Sequence, residues 1–331
     1  MGYLNMVFLL LQTVSAGAEK CRVLALEGGG SRGAYQAGVI QALASALPGG
    51  EVEWNVVSGI STGALNTCGC AQFPLGREKE MAAFLAATWR SINGSESTYT
   101  KWPYGYTEAL LFRPSLYDSS PLHAFIASHW LYGIHRNFTI AATDFNIATL
   151  RVFTSEMEAK EVPEAVMSSA APPFFFPPRH YEGTIYVDGG CLVNLDIASP
   201  INFCLKSGFS VADIVVDMVF LTASRLSKPP ERWNPMNVHS RVKEIRQFDT
   251  QTWFAYYAQT AFPEVDFRYT LIPSREMPGG EIPLDFTKEN IEAEMELGEL
   301  DAKTVVSKGK NGLKPLLAKT PTATKAFRRY L

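Results

Sequence analysis

The stretch Trp54–Gly63, with the sequence WNVVSGISTG, joins a short apolar run to a serine that stands between two glycines. The β-branched valines of the run predict a buried strand, and the residues that follow can continue as a helix. In a strand-to-helix turn of this kind the central residue has a strained backbone, and small residues at Gly59 and Gly63 let the two elements pass closely. The stretch therefore predicts an exposed Ser61 hydroxyl that can act as a nucleophile.

The same pattern also occurs by chance as an ordinary glycine-rich turn, so its neighbours decide between the two interpretations. A near-continuous apolar run over residues 21–27 predicts a buried strand, and it ends at a glycine loop, Gly28–Gly33, with the sequence GGGSRG. Apolar residues follow at helical spacing over residues 34–47. Strand, glycine loop, helix and second strand make a parallel βαβ unit, which places both loops at the carboxyl ends of adjacent strands.

A loop such as the glycine loop binds an anion in α/β proteins. Its backbone N–H groups stand at a helix amino terminus and favour either a phosphate or the oxyanion of an acyl-transfer intermediate. The Gly-x-Gly-x-x-Gly spacing is a weak dinucleotide signal, but Arg32 and the lack of an acidic residue at the end of the second strand argue against it. We interpret the loop as an oxyanion hole beside Ser61. The residues assigned to it are Gly28, Gly29, Gly30, Arg32 and Gly33.

A third motif, Asp188-Gly189-Gly190, follows a strand that we predict over residues 181–187. From the tripeptide alone a turn aspartate is the simpler interpretation, because Asp-Gly-Gly is typical turn chemistry. The position of the motif after the two others favours a different one, in which the Asp188 carboxylate accepts the proton of the serine nucleophile. Gly189 and Gly190 support this turn, as Gly59 and Gly63 support the turn at Ser61.

Four motifs in this order resemble the patatin-like phospholipase family. They are GGGSRG at 28–33, GISTG at 59–63, SSAAPPFFFPP at 168–178 and DGG at 188–190. The resemblance covers roughly residues 21–221. It implies a three-layer α/β/α sandwich with a mainly parallel sheet, a Ser61–Asp188 catalytic dyad and an oxyanion hole in the glycine loop. It implies no cofactor and no metal.

The resemblance implies a lipid acyl hydrolase of the phospholipase A type, which cleaves fatty-acyl esters of membrane or storage lipids. Two other functions stay open. A Ser-His-Asp esterase shares the serine motif and needs a histidine after Asp188, and only His239 follows it. A lipid-binding or storage protein would keep the fold without catalysis, although intact Ser61 and Asp188 count against it.

The composition bounds the class of protein. With 331 residues, of which 47% are hydrophobic and 19% charged, the chain is globular and long enough for one large α/β domain. The net charge of -3 provides no basic excess for binding nucleic acid. Five cysteines leave at least one unpaired. Cys68 and Cys70 have no second cysteine pair or histidine cluster nearby, so we expect buried thiols there rather than a zinc site.

The amino terminus has the features of a signal peptide. Residues 6–11 are apolar, the AGA sequence at 16–18 fits a small-residue cleavage site, and the segment is too short to span a bilayer as a helix. Because no Lys or Arg precedes the apolar run, a buried first strand or a membrane-touching arm is the alternative. We expect residues 1–18 to be a signal peptide and the protein to be secreted or to enter the endomembrane lumen, with peripheral membrane association.

We divide the rest of the chain into a lipid acyl hydrolase domain, residues 21–221, and an extension, residues 222–331, that packs on or continues the same domain. A stretch rich in Trp, Tyr and Ser at 95–118 is interpreted as a long surface loop, able to cover the site. Helices are predicted over 78–90, 121–132, 162–171, 200–206 and 290–306, with Ser120 and Ser199 as N-caps. The end of the chain, residues 302–331, holds eight basic residues and no acidic residue. Such a tail either binds anionic lipid or is a solvated segment whose charges keep the protein soluble.

We expect the protein to hydrolyse aggregated lipid faster than the same lipid below its aggregation concentration. The sequence offers three candidates for an interface-binding surface: residues 172–178, the aromatic residues at 253–257, and the basic tail. Rates on one short-chain phosphatidylcholine, measured on both sides of its critical micelle concentration, test the expectation. Equal rates would remove the need for such a surface.

Overall fold

A mainly parallel sheet carries the fold, which is seen in a computed structural model that describes residues 19–222, 232–280 and 283–317. The strands are β1 Cys21–Leu26, β2 Val56–Gly59, β3 Thr100–Lys101, β4 Tyr117–Asp118, β5 Asn137–Asp144, β6 Thr149–Thr154, β7 Arg179–Tyr181, β8 Thr184–Asp188, β9 Ile214–Val219 and β10 Asp266–Leu271. The helices are α1 Gly33–Ala46, α2 Gly49–Val52, α3 Thr62–Ala71, α4 Glu78–Ser91, α5 Gly105–Phe112, α6 Ser120–His129, α7 Val162–Ser169, α8 Ala198–Lys206, α9 Pro235–Ala261, α10 Lys288–Lys308 and α11 Lys314–Leu317. The predicted signal peptide and the end of the basic tail, from residue 318, lie outside the described residues.

Within the described residues the main sheet has eight strands, in the order β10-β9-β1-β2-β5-β8-β7, and β6 also pairs with β5. The strands from β10 to β5 are parallel to one another. The strands β6, β7 and β8 are antiparallel additions beyond β5. The predicted parallel pairing of β1 with β2 is confirmed, and it puts the glycine loop and Ser61 at the same edge of the sheet.

Helices cover both faces of the sheet. Alternate residues of β1 point to opposite sides, as a strand requires. Leu24 and Leu26 pack into a core with α1, α4 and α10, whereas Val23 and Ala25 pack into a second core with α8. These layers confirm the three-layer α/β/α sandwich with a mainly parallel sheet.

Residues after 221 contribute to the same sheet and to its helical layer. The strand β10 pairs with β9, and α10 lies against α1. The two helices touch at glycines: a Cβ atom on Gly38 would lie 2.1 Å from the Met295 carbonyl oxygen, and one on Gly298 would lie 2.2 Å from that of Tyr35. Because a larger residue at either position would collide with backbone, these glycines set the distance between the helices.

A buried ion pair ties β9 to β10. The Arg268 guanidinium donates to the Asp217 carboxylate, with its Nε at 2.9 Å from Oδ1. The indole N–H of Trp54 also donates to this carboxylate, at 2.8 Å. All three side chains are buried, so the charges are compensated by one another and by hydrogen bonds rather than by water. The sequence analysis did not predict this network.

The structure corrects the interpretation of residues 95–118 as a loop. The stretch contains the antiparallel pair β3 and β4 and, between them, the helix α5. Apolar residues of α5 face outward, so its sequence lacks the inward apolar periodicity by which a surface helix is usually predicted.

Two predicted N-caps are also wrong. The helix α6 has Ser120 as its first residue, and the side chain that accepts the Ser120 N–H, at 2.9 Å, belongs to Asp118. The helix α8 begins at Ala198, and the Ser199 N–H donates to Asp196 at 3.0 Å. In both cases an aspartate that lies two or three residues upstream takes the role of the predicted serine, since carboxylates are equally good acceptors at helix starts.

The cysteines divide into one disulfide and three free thiols. Cys21 at the start of β1 is bonded to Cys204 in α8. Cys68 and Cys70 are buried free thiols, as expected, and burial raises the pKa of both. Cys191 is exposed.

We predict that Gly38→Ala lowers the free energy of unfolding by about 1–3 kcal/mol, because the added methyl group would overpack the contact between α1 and α10. In an open helix the same change stabilises by about 0.5–1 kcal/mol. Gly50→Ala in α2 is the matched control, since nothing lies within 4 Å of its added Cβ. Urea unfolding followed by circular dichroism measures both. A Gly38→Ala protein as stable as the control would contradict the close packing.

Candidate active site

Ser61 lies at the apex of a strained turn between β2 and α3. Its φ is 54° and its ψ is -120°, a combination that a non-glycine residue rarely adopts. The Ser61 N–H donates to the Ser169 hydroxyl at 2.9 Å, and that hydroxyl donates to the Ala141 carbonyl at 2.6 Å. The predicted elbow is therefore present, and a hydrogen-bond chain from α7 and β5 holds its backbone.

The glycines that flank Ser61 are required by close contacts. A Cβ atom on Gly59 would lie 2.1 Å from the Gly63 carbonyl oxygen. One on Gly63 would lie 2.3 Å from the Leu26 carbonyl oxygen, at the end of β1. The Leu26 carbonyl also accepts the Ile60 N–H at 3.3 Å. The turn thus packs directly on the strand that leads into the glycine loop.

The glycine loop passes beside Ser61. A Cβ atom on Gly28 would lie 3.1 Å from the Ser61 Cβ, and the Gly28 N–H donates to the Asn194 carbonyl at 3.0 Å. The N–H groups of Gly29 and Gly30 donate to no acceptor among the described residues. Of the five residues predicted for an oxyanion hole, these two therefore have backbone donors that no described acceptor uses, whereas Gly28 leaves room for the serine.

The other two predicted loop residues have different surroundings. The Gly33 N–H donates to the carbonyls of Gly30 and Ser31, so it is not free for an oxyanion. A Cβ on Gly33 would lie 2.1 Å from the Thr62 hydroxyl and 2.5 Å from the Trp89 ring. The Arg32 guanidinium donates to the Gly280 carbonyl at 3.0 Å and lines the cavity described below. Burial lowers the pKa of Arg32, against the opposing effect of the acids around it, first of all Glu294.

Asp188 is the last residue of β8, where it pairs with Ala142 of β5. Its carboxylate is buried and accepts the Gly190 N–H at 2.8 Å, so the turn preorganises it. A Cβ on Gly189 would lie 2.4 Å from the Ala141 carbonyl oxygen. The Ala141 carbonyl also accepts the hydroxyl of Ser169, which is the side chain that bonds the Ser61 N–H. The structure thus brings the second and third motifs together around one backbone group of β5.

Two residues of this arrangement were missed by the sequence analysis. The side-chain amide of Asn194 donates to the Gly28 carbonyl, and the backbone carbonyl of Asn194 accepts the Gly28 N–H. Ser169 belongs to the SSAAPPFFFPP motif, and its role in bonding the Ser61 backbone is visible only when α7 is placed beside the elbow. The motif itself was the available signal for Ser169; no sequence signal pointed to Asn194.

A cavity of ≈ 2130 Å³ opens over Ser61 and Asp188. Its lining includes apolar side chains, among them Leu65, Leu122, Phe175 and Phe176. It also includes charged side chains, among them Arg32 and Glu27. The volume exceeds what a drug-sized ligand needs, so the cavity has space for long apolar chains.

Cys191 is a titratable side chain close to Asp188 and to the cavity. Cys191 follows the Asp188 turn and is an exposed residue. Partial desolvation of its thiol and the nearby Asp188 raise the pKa of Cys191 to about 11, so it is a neutral thiol near pH 7. None of the described side chains that line the cavity is a histidine. His239 lies in α9, and its side chain is outside the described part of the chain. Among the described residues no three His, Cys, Asp or Glu side chains are grouped so that they could hold a metal ion.

Glu294 of α10 lies behind the glycine loop. It is fully buried, and neither of its carboxyl oxygens bonds any of the residues that the structure describes. Burial raises the pKa of Glu294 to about 8, against the opposing effect of Arg32 and with a further small rise from Asp285. The carboxyl is therefore largely protonated near neutral pH.

The comparisons with known proteins agree with the sequence motifs. A family profile described as patatin-like phospholipase matches residues 24–201, more than half of the chain. No curated protein sequence matches the chain. Within the described residues, no helix has the length and apolar character needed to cross a membrane.

Two solved structures are similar at low sequence identity. VipD from Legionella pneumophila has 13% identity and a TM-score of 0.37, with 86% of this chain and 67% of VipD covered. Human GIVD cytosolic phospholipase A2, in complex with methyl γ-linolenyl fluorophosphonate, has 12% identity and a TM-score of 0.42. That comparison covers 91% of this chain and 59% of the human one, so the chain spans less than two thirds of the human protein.

We predict that Glu294→Gln stabilises the protein increasingly as the pH rises. The raised pKa means that the native state keeps a proton that the unfolded chain releases near 4.5, so the contribution of Glu294 to stability is lost between about pH 4.5 and 8. An amide cannot ionise, so the difference in melting temperature between variant and wild type should be smallest at pH 4.5 and largest above pH 8. Glu296→Gln, an exposed position on the same helix, is the control. If the melting temperatures of Glu294→Gln and wild type differed by the same amount at every pH, the raised pKa of Glu294 would be contradicted.

Proposed function

Because the chain belongs to the patatin-like phospholipase family, we propose that it is a lipid acyl hydrolase of the phospholipase A type, acting through Ser61 and Asp188. The observation that carries the proposal is the left-handed backbone of Ser61, which presents its hydroxyl at a large, partly apolar cavity that Asp188 also lines. Strain of this kind persists where the surrounding structure holds it, and it concentrates at active sites.

The proposed reaction begins with attack of the Ser61 Oγ on the carbonyl carbon of a fatty-acyl ester, while the Asp188 carboxylate accepts the hydroxyl proton. The N–H groups of Gly29 and Gly30 would stabilise the oxyanion of the tetrahedral intermediate. Its collapse breaks the ester C–O bond, and Asp188 returns the proton to the leaving alcohol. Water, deprotonated by Asp188, then attacks the acyl-enzyme, and a fatty acid is released as Ser61 is restored.

Two features support the use of a dyad rather than a triad. The Asp188 carboxylate is held by its own turn at the Gly190 N–H, and it lines the same cavity as Ser61, as a base that takes the proton directly must. The described side chains that line the cavity include no histidine. A Ser-His-Asp esterase is the second candidate, and it would need His239 of α9, the histidine that follows Asp188 in the sequence, as its base. A non-catalytic lipid binder would share the cavity but gains nothing from the strained Ser61 backbone.

The proposed location is an oxidising compartment, such as the endomembrane lumen or the outside of the cell. The bond between Cys21 and Cys204 supports it, because disulfides persist mainly in such compartments. The predicted signal peptide at residues 1–18 supports it from the sequence.

We predict that Ser61→Ala abolishes hydrolysis of a soluble ester and labelling by a serine-reactive phosphonate, because the nucleophile is lost. Asp188→Asn should lower kcat by at least about 10³-fold, since an amide cannot accept the serine proton. Hydrolysis of p-nitrophenyl butyrate and circular dichroism would be measured on both variants.

The control for this prediction is His239→Ala, which should keep most of the activity if Asp188 takes the proton directly. Loss of activity in His239→Ala together with retention in Asp188→Asn would overturn the dyad and favour the triad esterase. Phosphonate labelling of a folded, active Ser61→Ala protein would overturn the nucleophile assignment.

A further inference from the structure

The helix α5 turns its apolar side chains toward solvent. Leu110, Leu111 and Phe112 expose 67%, 68% and 79% of their surface, and Tyr104, just before the helix, is also highly exposed. Large apolar side chains that are exposed singly need no explanation, but contiguous ones mark an interaction surface. The end of α5 is such a surface.

The acidic group of the same segment is buried and is paired within the segment. Glu108 is buried, and its carboxylate accepts the Tyr104 N–H at 2.9 Å and the Arg113 Nε at 2.7 Å. The Arg113 guanidinium lies 4.4 Å from the centre of the Trp102 ring, whose N–H donates to the Ser115 carbonyl at 3.0 Å. The segment compensates its own charges and leaves its apolar residues outside. This inverts the usual pattern of a surface helix.

An aromatic ring with a polar end, Tyr106, lies one helical turn before Leu110 in α5. The hydroxyl groups of Tyr106 and Tyr117 are 3.1 Å apart, and the Lys101 ammonium lies 5.0 Å from the centre of the Tyr106 ring. Tyr and Trp favour the boundary between hydrocarbon and water, because the ring is apolar and the O–H or N–H group is solvated. A neighbouring ammonium suits the phosphate groups found there. Leucines flanked by such residues match the layers of a lipid surface.

A strip of backbone hydrogen bonds connects this segment to the cavity wall. The Leu116 N–H donates to the Phe174 carbonyl at 2.8 Å, and the Tyr117 N–H donates to the Phe175 carbonyl at 3.0 Å. Phe174 has a φ of 75°, in the left-handed region that phenylalanine rarely adopts. Phe174 is exposed, whereas Phe175 lines the cavity. The α5 segment is therefore bonded to an exposed phenylalanine and to the cavity-lining residue that follows it.

We propose that the α5 surface, formed by Tyr104, Leu110, Leu111, Phe112 and Phe174, docks on a phospholipid bilayer and directs the cavity toward it. The proposal rests on the proposed function, because a lipid substrate must leave its bilayer to reach Ser61. The apolar side chains of the surface enter the acyl-chain region, and the aromatic residues with Lys101 stay among the headgroups. Of the three candidates that the sequence suggested, residues 172–178 contribute Phe174 to this surface. The helix α5 was not among them.

The test replaces Leu110 and Leu111 together by aspartate in a Ser61→Ala background, so that vesicles are not hydrolysed. Binding to large unilamellar vesicles of dioleoylphosphatidylcholine is measured by cosedimentation. Each leucine withdrawn from hydrocarbon should reduce the partition coefficient about tenfold or more. Vesicle binding by the Ser61→Ala parent, whose α5 surface is intact, should persist at high salt, because salt does not screen apolar contacts.

The matched control replaces Leu75 and Leu131 by aspartate. Both are exposed leucines. They lie at the opposite edge of the sheet, where the Leu131 N–H donates to the Gln72 side chain after the end of α3. This double variant should bind vesicles as the parent protein does. Phe112→Ser is a milder second variant of the α5 surface and should weaken binding in the same direction.

Several results would overturn the proposal. One is equal vesicle binding by the Leu110→Asp/Leu111→Asp variant, its control and the parent. Another is binding that high salt abolishes, which would indicate an electrostatic contact such as the basic tail. A third is sedimentation showing a parent dimer that the α5 substitutions dissociate without changing vesicle binding, which would make the surface a contact between copies of the chain.

A separate measurement distinguishes failure of docking from failure of the proposed function. With Ser61 restored, the Leu110→Asp/Leu111→Asp variant should hydrolyse soluble p-nitrophenyl butyrate at the parent rate and hydrolyse vesicle lipid more slowly. Equal loss on both substrates would overturn the docking role, because the α5 surface would then act on the chemistry itself. A parent protein inactive on every ester would remove the proposed function while vesicle binding still tested the docking.

Discussion

The contact between the Gly63 backbone and the Leu26 carbonyl is the constraint on which the site depends. A single added methyl group there would lie 2.3 Å from the carbonyl oxygen, so the start of α3 rests directly on the end of β1. Since β1 leads into the glycine loop, this contact sets how far the loop is from the Ser61 hydroxyl. Stabilisation of an oxyanion requires donors at hydrogen-bond distance from the reacting atom. A shift of α3 away from β1 would move Ser61 out of that distance.

The third motif is tied to the same point through β5. The Ala141 carbonyl accepts the Ser169 hydroxyl that holds the Ser61 N–H, and Gly189 packs on its other side. Ser61 and Asp188 are therefore positioned by shared backbone rather than by long side chains. Backbone of a central sheet moves little, which suits groups that must keep a productive geometry.

Residues after 221 brace the glycine loop although they carry no recognised motif. The Ser31 N–H donates to the Pro283 carbonyl at 2.9 Å, and the Arg32 guanidinium donates to the Gly280 carbonyl. Behind the loop, α10 packs on α1 through glycine contacts and brings the buried Glu294 near Arg32. On the α5 segment, the apolar face that we propose for docking on lipid is exposed, and the backbone that follows is bonded to Phe174 and Phe175.

The sequence by itself determined the order of the motifs, the parallel βαβ unit and the identity of Ser61 and Asp188 as candidates, because turns and strand periodicity are local properties of the chain. Tertiary structure decided the rest. The unequal surroundings of Gly28, Gly29 and Gly33 depend on Asn194 and Trp89, which are distant in sequence. The helix α5 was interpreted as a loop because its apolar residues face outward, and no periodicity can show which face a neighbour will cover. Burial of Glu294 and the pairing of Asp217 with Arg268 likewise exist only when helices and strands far apart in the chain are packed together.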